Sequence, residues 1–431
     1  MPVSPSPDRE APRWLGSSAH RAALGEEARR LLRFFRATVA SDGSFVELDD
    51  DGRPMPTGSP PATSPRQQLL TVARAVHSYA IGELLGVPGC GSIVERGLAE
   101  IVERHRDDRA GGYFASVSPA GPLLDTKSAY DHAFVLLAAS SATSAGHDAA
   151  RALFEDVLGV IDERFWSERD GATAETFSRS WEEIEPYRGA NSNMHLCESF
   201  LAAGALTGDA ALGHRSVRIA ERLIDRCARS NDWLLPEHYD PDWKALLEYN
   251  ADKPDDPFRP YGATIGHLVE WSRLLVGAWL LEGARDAWLP DAARALFARA
   301  VASGWDERNG GLVYTVGWDG VPVNDDHYWW PVAEGIGTSS YLARVTRDVS
   351  YETWYRRFWD FAAANLVDHE RGGWYAQLDH ENRRKVHPWY GKPDLYHALQ
   401  ACVLPAYRLA PSVAAAVIAG EDDGAGAGAA T

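Results

Sequence analysis

A glycine turn that returns along the whole chain constrains this sequence more than any other feature. After an amphipathic helical segment comes an acidic or polar turn, then glycine, then a short aromatic or β-branched run. The instances are SDGSFVEL (41–48), RDDRAGGYFASV (106–117), ERDGATAETF (168–177), DERNGGLVYTV (306–316) and DHERGGWYAQL (368–378). A degenerate sixth, SNDWLLPEHY (230–239), fills the remaining gap. Glycine after a polar turn stops a helix and reverses the chain, and the residues that follow suit a short strand.

Two helical segments lie between successive turns, and they differ in kind. The segment before each turn is amphipathic: RSVRIAERLIDRCARS (215–230) places Val217, Ala220, Leu223, Ile224 and Cys227 on one face. The segment after each turn is apolar nearly all round, as in HLVEWSRLLVGAWLLEG (267–283). A helix of that kind must be buried on most sides. Twelve helices alternating between half-exposed and buried are satisfied by an inner ring of six inside an outer ring of six. The fold class predicted is therefore all-α, an (α/α)6 barrel with short β-hairpin segments in its loops. Inner helices are expected to start near residues 65, 126, 192, 265, 329 and 393. Arg74, His132, His195, His267, Glu334 and His397 recur at matching positions on them and are expected to line one mouth of the barrel.

The domain plan is a tail at 1–16 rich in Pro and Ser, one catalytic barrel over 17–409, and an Ala/Gly-rich tail at 410–431. A formal net charge of −18 argues against nucleic acid or an anionic membrane as partner. Cys90, Cys197, Cys227 and Cys402 form no CxxC pair and read as free thiols in a reducing compartment. With no apolar signal segment and no membrane-length apolar run, the expected protein is soluble and cytoplasmic, a monomer or small homo-oligomer.

Three of the recurring positions are histidines in polar-aromatic segments: RGANSNMHLCESF (188–200), PYGATIGHLVEW (260–271) and PWYGKPDLYHALQ (388–400). Histidine's unperturbed pKa lies near neutrality, so several converging on one cavity suggest proton transfer. A buried helix N-terminus disfavours the cationic ring and keeps the imidazole able to accept a proton. Glu198 and Glu270 follow His195 and His267 by one turn and are placed to orient those rings.

Arg74 is a cation on an otherwise apolar helix, so it needs either an acid or a substrate oxygen. Asn191 and Asn193 bracket Ser192 and are candidates for binding or for capping. Lys127, Tyr130 and His132 belong to the fourth helix, with Tyr130 the one expected to reach the cavity. Trp329 and Trp330 put flat apolar surface beside Glu334, an arrangement suited to a sugar ring, and Asp394 is placed to cap the last helix or bind a hydroxyl. Two other classes of site stay open on these residues. One is a His-rich metal site, although the H-x-x-E order reverses that of di-metal bundles and no HExxH occurs. The other is a glycosidase using Glu334 with Glu270 or Glu198, which leaves the histidines without a role. No Rossmann fingerprint or Walker loop is present, so no nucleotide cofactor is expected.

Taken together, RGANSNMHLCESF, the GH-x-x-EW of 266–271, the W-x-x-x-E of 330–334 and GKPDLYHALQ (391–400) resemble the N-acylglucosamine 2-epimerase superfamily, over about residues 20–409. The runs FRPYGATIGHLVEWSRLL and GKPDLYHALQACVLP look most similar to its aldose–ketose isomerase branch. The resemblance implies an (α/α)6 barrel and metal-free, cofactor-free proton transfer through a cis-enediolate. It implies His267 and His397 as the acid/base pair, Glu270 supporting His267, and His195 as a further cavity histidine. Arg74 and Asn191 are implied to contact substrate oxygens. Ala75 stands where many members carry methionine after the arginine, so that segment matches more loosely. The activity implied is interconversion of D-mannose and D-fructose, with a sulfosugar isomerase, for which Arg259 and Lys392 offer cations, and a sugar 2-epimerase as the alternatives. A glycoside hydrolase or metal-dependent hydrolase on the same barrel is the reading from a different class.

Overall fold

The computed structural model describes residues 13–55, 67–392 and 395–422. Its α-helices are α1 (Ser18–Phe34), α2 (Leu69–Leu84), α3 (Cys90–Glu100), α4 (Ala129–Ser144), α5 (Asp148–Val160), α6 (Ala190–Thr207) and α7 (Ala210–Ala220). These are followed by α8 (Ile265–Leu281), α9 (Trp288–Gly304), α10 (Trp329–Thr346), α11 (Val349–Phe361), α12 (Tyr396–Val403) and α13 (Val413–Ala419). The even-numbered helices α2 to α12 form a ring: each packs on the next, and α12 packs back on α2. Outside them, α3, α5, α7, α9 and α11 each cover the inner helix that precedes them, while α1 covers α12. This is the (α/α)6 barrel the burial pattern demands.

The two rings bury different amounts of themselves. Helix α8 buries an unbroken run from Leu268 to Ala278. Helix α5 buries only Ala150, Leu153, Phe154 and Val157, one stripe at helical spacing. Between the rings Phe200, Trp271, Phe297 and Phe358 are fully buried. Each such side chain contributes about 1.5–3 kcal/mol of transfer free energy.

Short strands tie the start of each inner helix to the hairpin of the neighbouring repeat. Gln67 pairs with Val117, Lys127 with Phe177, Arg188 with Tyr239, Ala263 with Val316 and His327 with Leu378. The sixth pairing, Leu48 with Lys392, joins the last repeat to the first and closes the mouth. Three of the glycine turns share one device. Asp107, Asp306 and Asp368 each turn a carboxylate back onto the two N–H groups that follow the helix exit. Gly311 shows why glycine is needed after them: at φ +90°, a Cβ would lie 2.7 Å from Phe361 and 2.9 Å from His327.

Both chain ends correct the sequence reading. The tail expected from residue 410 begins instead with ordered structure, because α13 buries Val413, Ala414, Ala416 and Val417 and packs against α2, α4, α6 and α12. Near the N-terminus the backbone N–H groups of Trp14 and Leu15 donate to Glu352, which anchors part of the segment expected to be free. Among the described residues no helix is long and apolar enough to cross a membrane.

Candidate active site

Counting from the first residue of each inner helix separates the polar residues into two tiers. Arg74, Phe134, His195, Glu270 and Glu334 all stand sixth on α2, α4, α6, α8 and α10. Tyr130, Asn191, Trp330 and His397 stand second, and His267 third. Four residues of α-helix rise about 6 Å, so the second tier lies roughly one turn nearer the mouth. Contacts follow the tiers. In the deeper one the Arg74 guanidinium lies 4.5 Å from the Phe134 ring, whose centroid is 4.6 Å from that of His195. His195 Nδ1 is in turn 3.9 Å from Glu270. His132 does not join the ring as expected: its Nε2 accepts the Tyr113 N–H at 3.1 Å and its Nδ1 faces the Ser128 carbonyl, so it supports the glycine turn outside the cavity.

Each of the three cavity histidines has a carboxylate on Nδ1. His397 Nδ1 lies 2.9 Å from Glu334 Oε1, and His267 Nδ1 lies 2.8 Å from Glu237 Oε1. His195 Nδ1 lies 3.4 Å from Glu198 Oε2. A carboxylate at Nδ1 fixes the tautomer with its proton there and leaves the Nε2 lone pair outward. Burial drops His195 to about 4, so it is neutral near pH 7 and its contact with Glu198 is a hydrogen bond rather than an ion pair.

The partner of His267 corrects the sequence reading. Glu270, one turn along the same helix, was the expected support, yet the contact is made by Glu237. The reason is topological. His238 and Tyr239 pair with Gly189 and Arg188 at the start of α6, and the Ala190 N–H donates to the Glu237 carbonyl. Side chains alternate along an extended segment, so His238 turns away to Tyr187 and Pro260 while Glu237 faces the cavity. Glu270 lies in the deeper tier instead. Burial, and then the nearby charges of Glu334 and Glu198, push its carboxyl well above the usual range.

That deeper tier is organised by Arg273, which the sequence reading missed. Its Nε donates to Glu334 Oε2 at 2.9 Å and its Nη2 to Glu198 Oε1 at 3.2 Å, with Glu270 Oε1 at 3.8 Å. Burial opposes the charge of Glu334, but Arg273 and the hydrogen bond from His397 outweigh it and hold its carboxyl below the ordinary value. For Glu198, burial is likewise overcome, by the hydrogen bond from His195 and the Arg273 charge, with the Tyr396 hydroxyl also donating. The signal for Arg273 was the one used for Arg74, a cation on a helix otherwise apolar all round. Nothing local flagged Glu237.

Trp330 lies between the two outer histidines, its ring 5.2 Å from His267 and 5.8 Å from His397. Trp329 is buried behind it, and Trp389 bridges Trp329 to the exposed Phe258 at the rim. Arg74 donates to Tyr130 OH at 3.2 Å, and the Tyr130 ring meets His195 edge-on. The Asn191 side-chain oxygen is buried without a hydrogen-bond partner among the described residues, as a group waiting for a hydroxyl would be. Asn193 is structural, bonding Thr173 N–H and the Gly189 carbonyl. Asp394 lies outside the described residues.

His195, Glu198 and Glu270 present donor atoms within 4.8 Å of one another, a spacing that suits a metal ion. The residues fit one poorly, because the Arg273 guanidinium already supplies the positive charge there and the Tyr396 hydroxyl occupies Glu198. The two cations considered for a sulfonate are also committed. Arg259 pairs with Glu185 at 2.7 Å. Lys392 is fully buried against Asp368 at 2.7 Å.

The profile of the family described as N-acylglucosamine 2-epimerase matches residues 43–401. A D-mannose isomerase of Thermobifida fusca is 43% identical over 413 residues, covering 94% of this chain and 98% of that protein. A D-mannose isomerase of Pseudomonas cannabina pv. alisalensis is also 43% identical, with 94% and 97% covered. Among solved structures, one described as a D-mannose isomerase superposes with a TM-score of 0.83 at 28% identity, over 90% of this chain and 98% of its own.

Proposed function

The chain belongs to the N-acylglucosamine 2-epimerase family, and from that premise we propose that it is an aldose–ketose isomerase interconverting D-mannose and D-fructose without a metal or cofactor. The observation that carries the reading is the pair His267/Glu237 and His397/Glu334 standing on either side of Trp330. With Nδ1 of each ring held by a carboxylate, Nε2 is the nitrogen left to meet a substrate, and the flat indole beside both rings suits the apolar face of an open-chain sugar.

The chemistry then runs as follows. One neutral imidazole removes the C2 proton, the C–H electron pair becomes the C1–C2 double bond, and the carbonyl oxygen at C1 gains the negative charge. The second histidine moves the hydroxyl proton, accepting it from O2 at Nε2 and passing it to O1. The proton held on the first ring returns to C1, and C2 becomes the ketone carbon. Each imidazolium formed along the way is stabilised by its own carboxylate, as in other carboxylate–histidine pairs. Arg74, Tyr130 and Asn191 are the donors and acceptors we assign to the sugar oxygens. His195, neutral and behind them, is a substrate contact rather than a base. Glu198 acts through His195, and Glu270 forms the floor of the cavity.

The 43% identical relatives named D-mannose isomerase support mannose as substrate. Commitment of Arg259 to Glu185 and of Lys392 to Asp368 speaks against a sulfosugar, since neither cation is spare. Four free cysteines fit a cytoplasmic location. The test is incubation with D-mannose in D2O containing a chelator, following fructose by chromatography and deuterium at C1 and C2 by NMR. Fructose formation undiminished by the chelator is the expected result. Glucose appearing in its place would reassign the chain to epimerisation, and no ketose with no exchange at carbon would overturn the proton-transfer reading altogether.

A further inference from the structure

A single buried guanidinium touches the carboxylates that hold two of the three cavity histidines. Arg273 is 5% exposed, and Glu334 and Glu270 are each 1% exposed. The charged or titratable groups facing Glu334 are Arg273 and Glu270 from α8, His397 and Tyr396 from α12 and Glu198 from α6. Arg273 lies within 4 Å of all three buried carboxyls, and Arg74 adds a smaller influence on Glu270. Burial and the charges of Glu334 and Glu198 disfavour the ionised form of Glu270, which leaves Glu334 and Glu198 as the two carboxylates hydrogen-bonded to Arg273. We propose that Arg273 is a positioning residue for proton transfer: it keeps Glu334 ionised, so that Glu334 accepts the Nδ1–H of His397 and the His397 Nε2 lone pair faces the substrate.

The physical consequence of losing that cation is specific. Buried carboxylates without a counter-charge take up a proton rather than stay charged. A protonated Glu334 donates where it formerly accepted, so its O–H would bond Nδ1 and the His397 proton would move to Nε2. The ring then presents an N–H where the reaction needs a lone pair. His267 is untouched by this, because Glu237 makes no contact with Arg273 among those of the described residues. Arg273 thus acts on one of the two outer histidines and not on the other. The effect on rate rests on the isomerase reading above, whereas the effect on the His397 tautomer stands without it.

The experiment is 15N NMR of histidine-labelled full-length protein, with His397 assigned through His397→Asn, comparing wild type with Arg273→Gln and Arg273→Lys. Wild type and Arg273→Lys, which keeps the charge, are expected to show the proton on Nδ1. Arg273→Gln is expected to show it on Nε2. Alongside, kcat with D-mannose should fall roughly 10²–10⁴-fold in Arg273→Gln, the scale of a wrong-tautomer histidine, with KM changed by less than about threefold. Raising the pH should recover part of that loss as Glu334 ionises again. Glu334→Gln has no carboxyl to ionise and should show no recovery, and adding Arg273→Gln to it should cost less than about threefold more. Should Arg273→Gln fail to fold, Arg273→Lys carries the test: an Nε2–H tautomer in that variant overturns the proposal. So does an Nδ1–H tautomer in a folded Arg273→Gln. A wild type inert towards mannose but with these tautomers would sink the isomerase reading and leave the role of Arg273 standing.

Discussion

Glu237→Gln removes the carboxylate behind His267 and keeps the shape of the side chain. Glu237 is 5% exposed, and its Oε1 lies 2.8 Å from Nδ1. When His267 takes a proton from carbon the ring becomes cationic. At a charge separation of about 4 Å and an effective dielectric near 20, the carboxylate stabilises that cation by about 4 kcal/mol. An amide oxygen at the same place keeps a neutral hydrogen bond, about 1 kcal/mol. Allowing for relaxation, the net loss at the transition state is about 2–3 kcal/mol, or roughly 30- to 150-fold in kcat. KM should hardly move, because Glu237 sits behind the ring and does not face the substrate. The matched control is Glu270→Gln, which puts a neutral amide in place of a carboxyl whose charged form burial, Glu334 and Glu198 already disfavour. It should cost much less. Steady-state fructose formation at several mannose concentrations, with thermal unfolding of each variant, measures both. The reasoning is refuted if Glu237→Gln stays within threefold of wild type while Glu270→Gln loses 30-fold or more, since that order returns Glu270 to the role of support.

Two further outcomes are expected. Acid should destabilise the fold well before general carboxylate protonation. Burial lowers His77, His105 and His195 to about 4 and His132 to about 3, so from pH 6.5 downwards the unfolded chain binds protons that the folded one refuses. Stability from these four groups is complete above about pH 6.5 and lost as pH falls towards 4, visible as a drop in Tm; a flat Tm from pH 7 to 4.5 contradicts it. Gly266→Ala should disable the site more than it destabilises the fold, because the new Cβ meets the Trp330 ring at 2.2 Å and must displace the indole from between His267 and His397. A loss of about 1–3 kcal/mol in stability with at least tenfold in kcat is expected, and near-normal turnover would show that Trp330 does not order the two rings.

Much of the barrel was legible because burial is written into one-dimensional pattern. An inner helix such as α8 is apolar on every side and an outer helix such as α5 on one stripe, and only nested rings satisfy both. Closure through Leu48 and Lys392, and the packing of α13 against the ring, were not legible, since a single-residue bridge and a seven-residue helix carry too little periodicity to be read. The matching of residues by phase was partly misled. His132 shares the composition of the cavity residues but stands fourth on α4, while Phe134, which does meet His195, carries no polar signature.

What the sequence alone determined is which residue types lie on which face: three histidines near the entrances of α6, α8 and α12, and acids one turn from two of them. What only the tertiary structure decided is which acid belongs to which histidine. Glu270 follows His267 by a helical turn yet joins the deeper tier, while Glu237 reaches His267 from another segment because a strand pairs beside α6. Likewise Glu334 meets His397, and Arg273 meets both Glu334 and Glu198, only because neighbouring inner helices pack side by side in the ring. Spacing along a chain reports direction around one helix; distance between helices is set by how the ring closes.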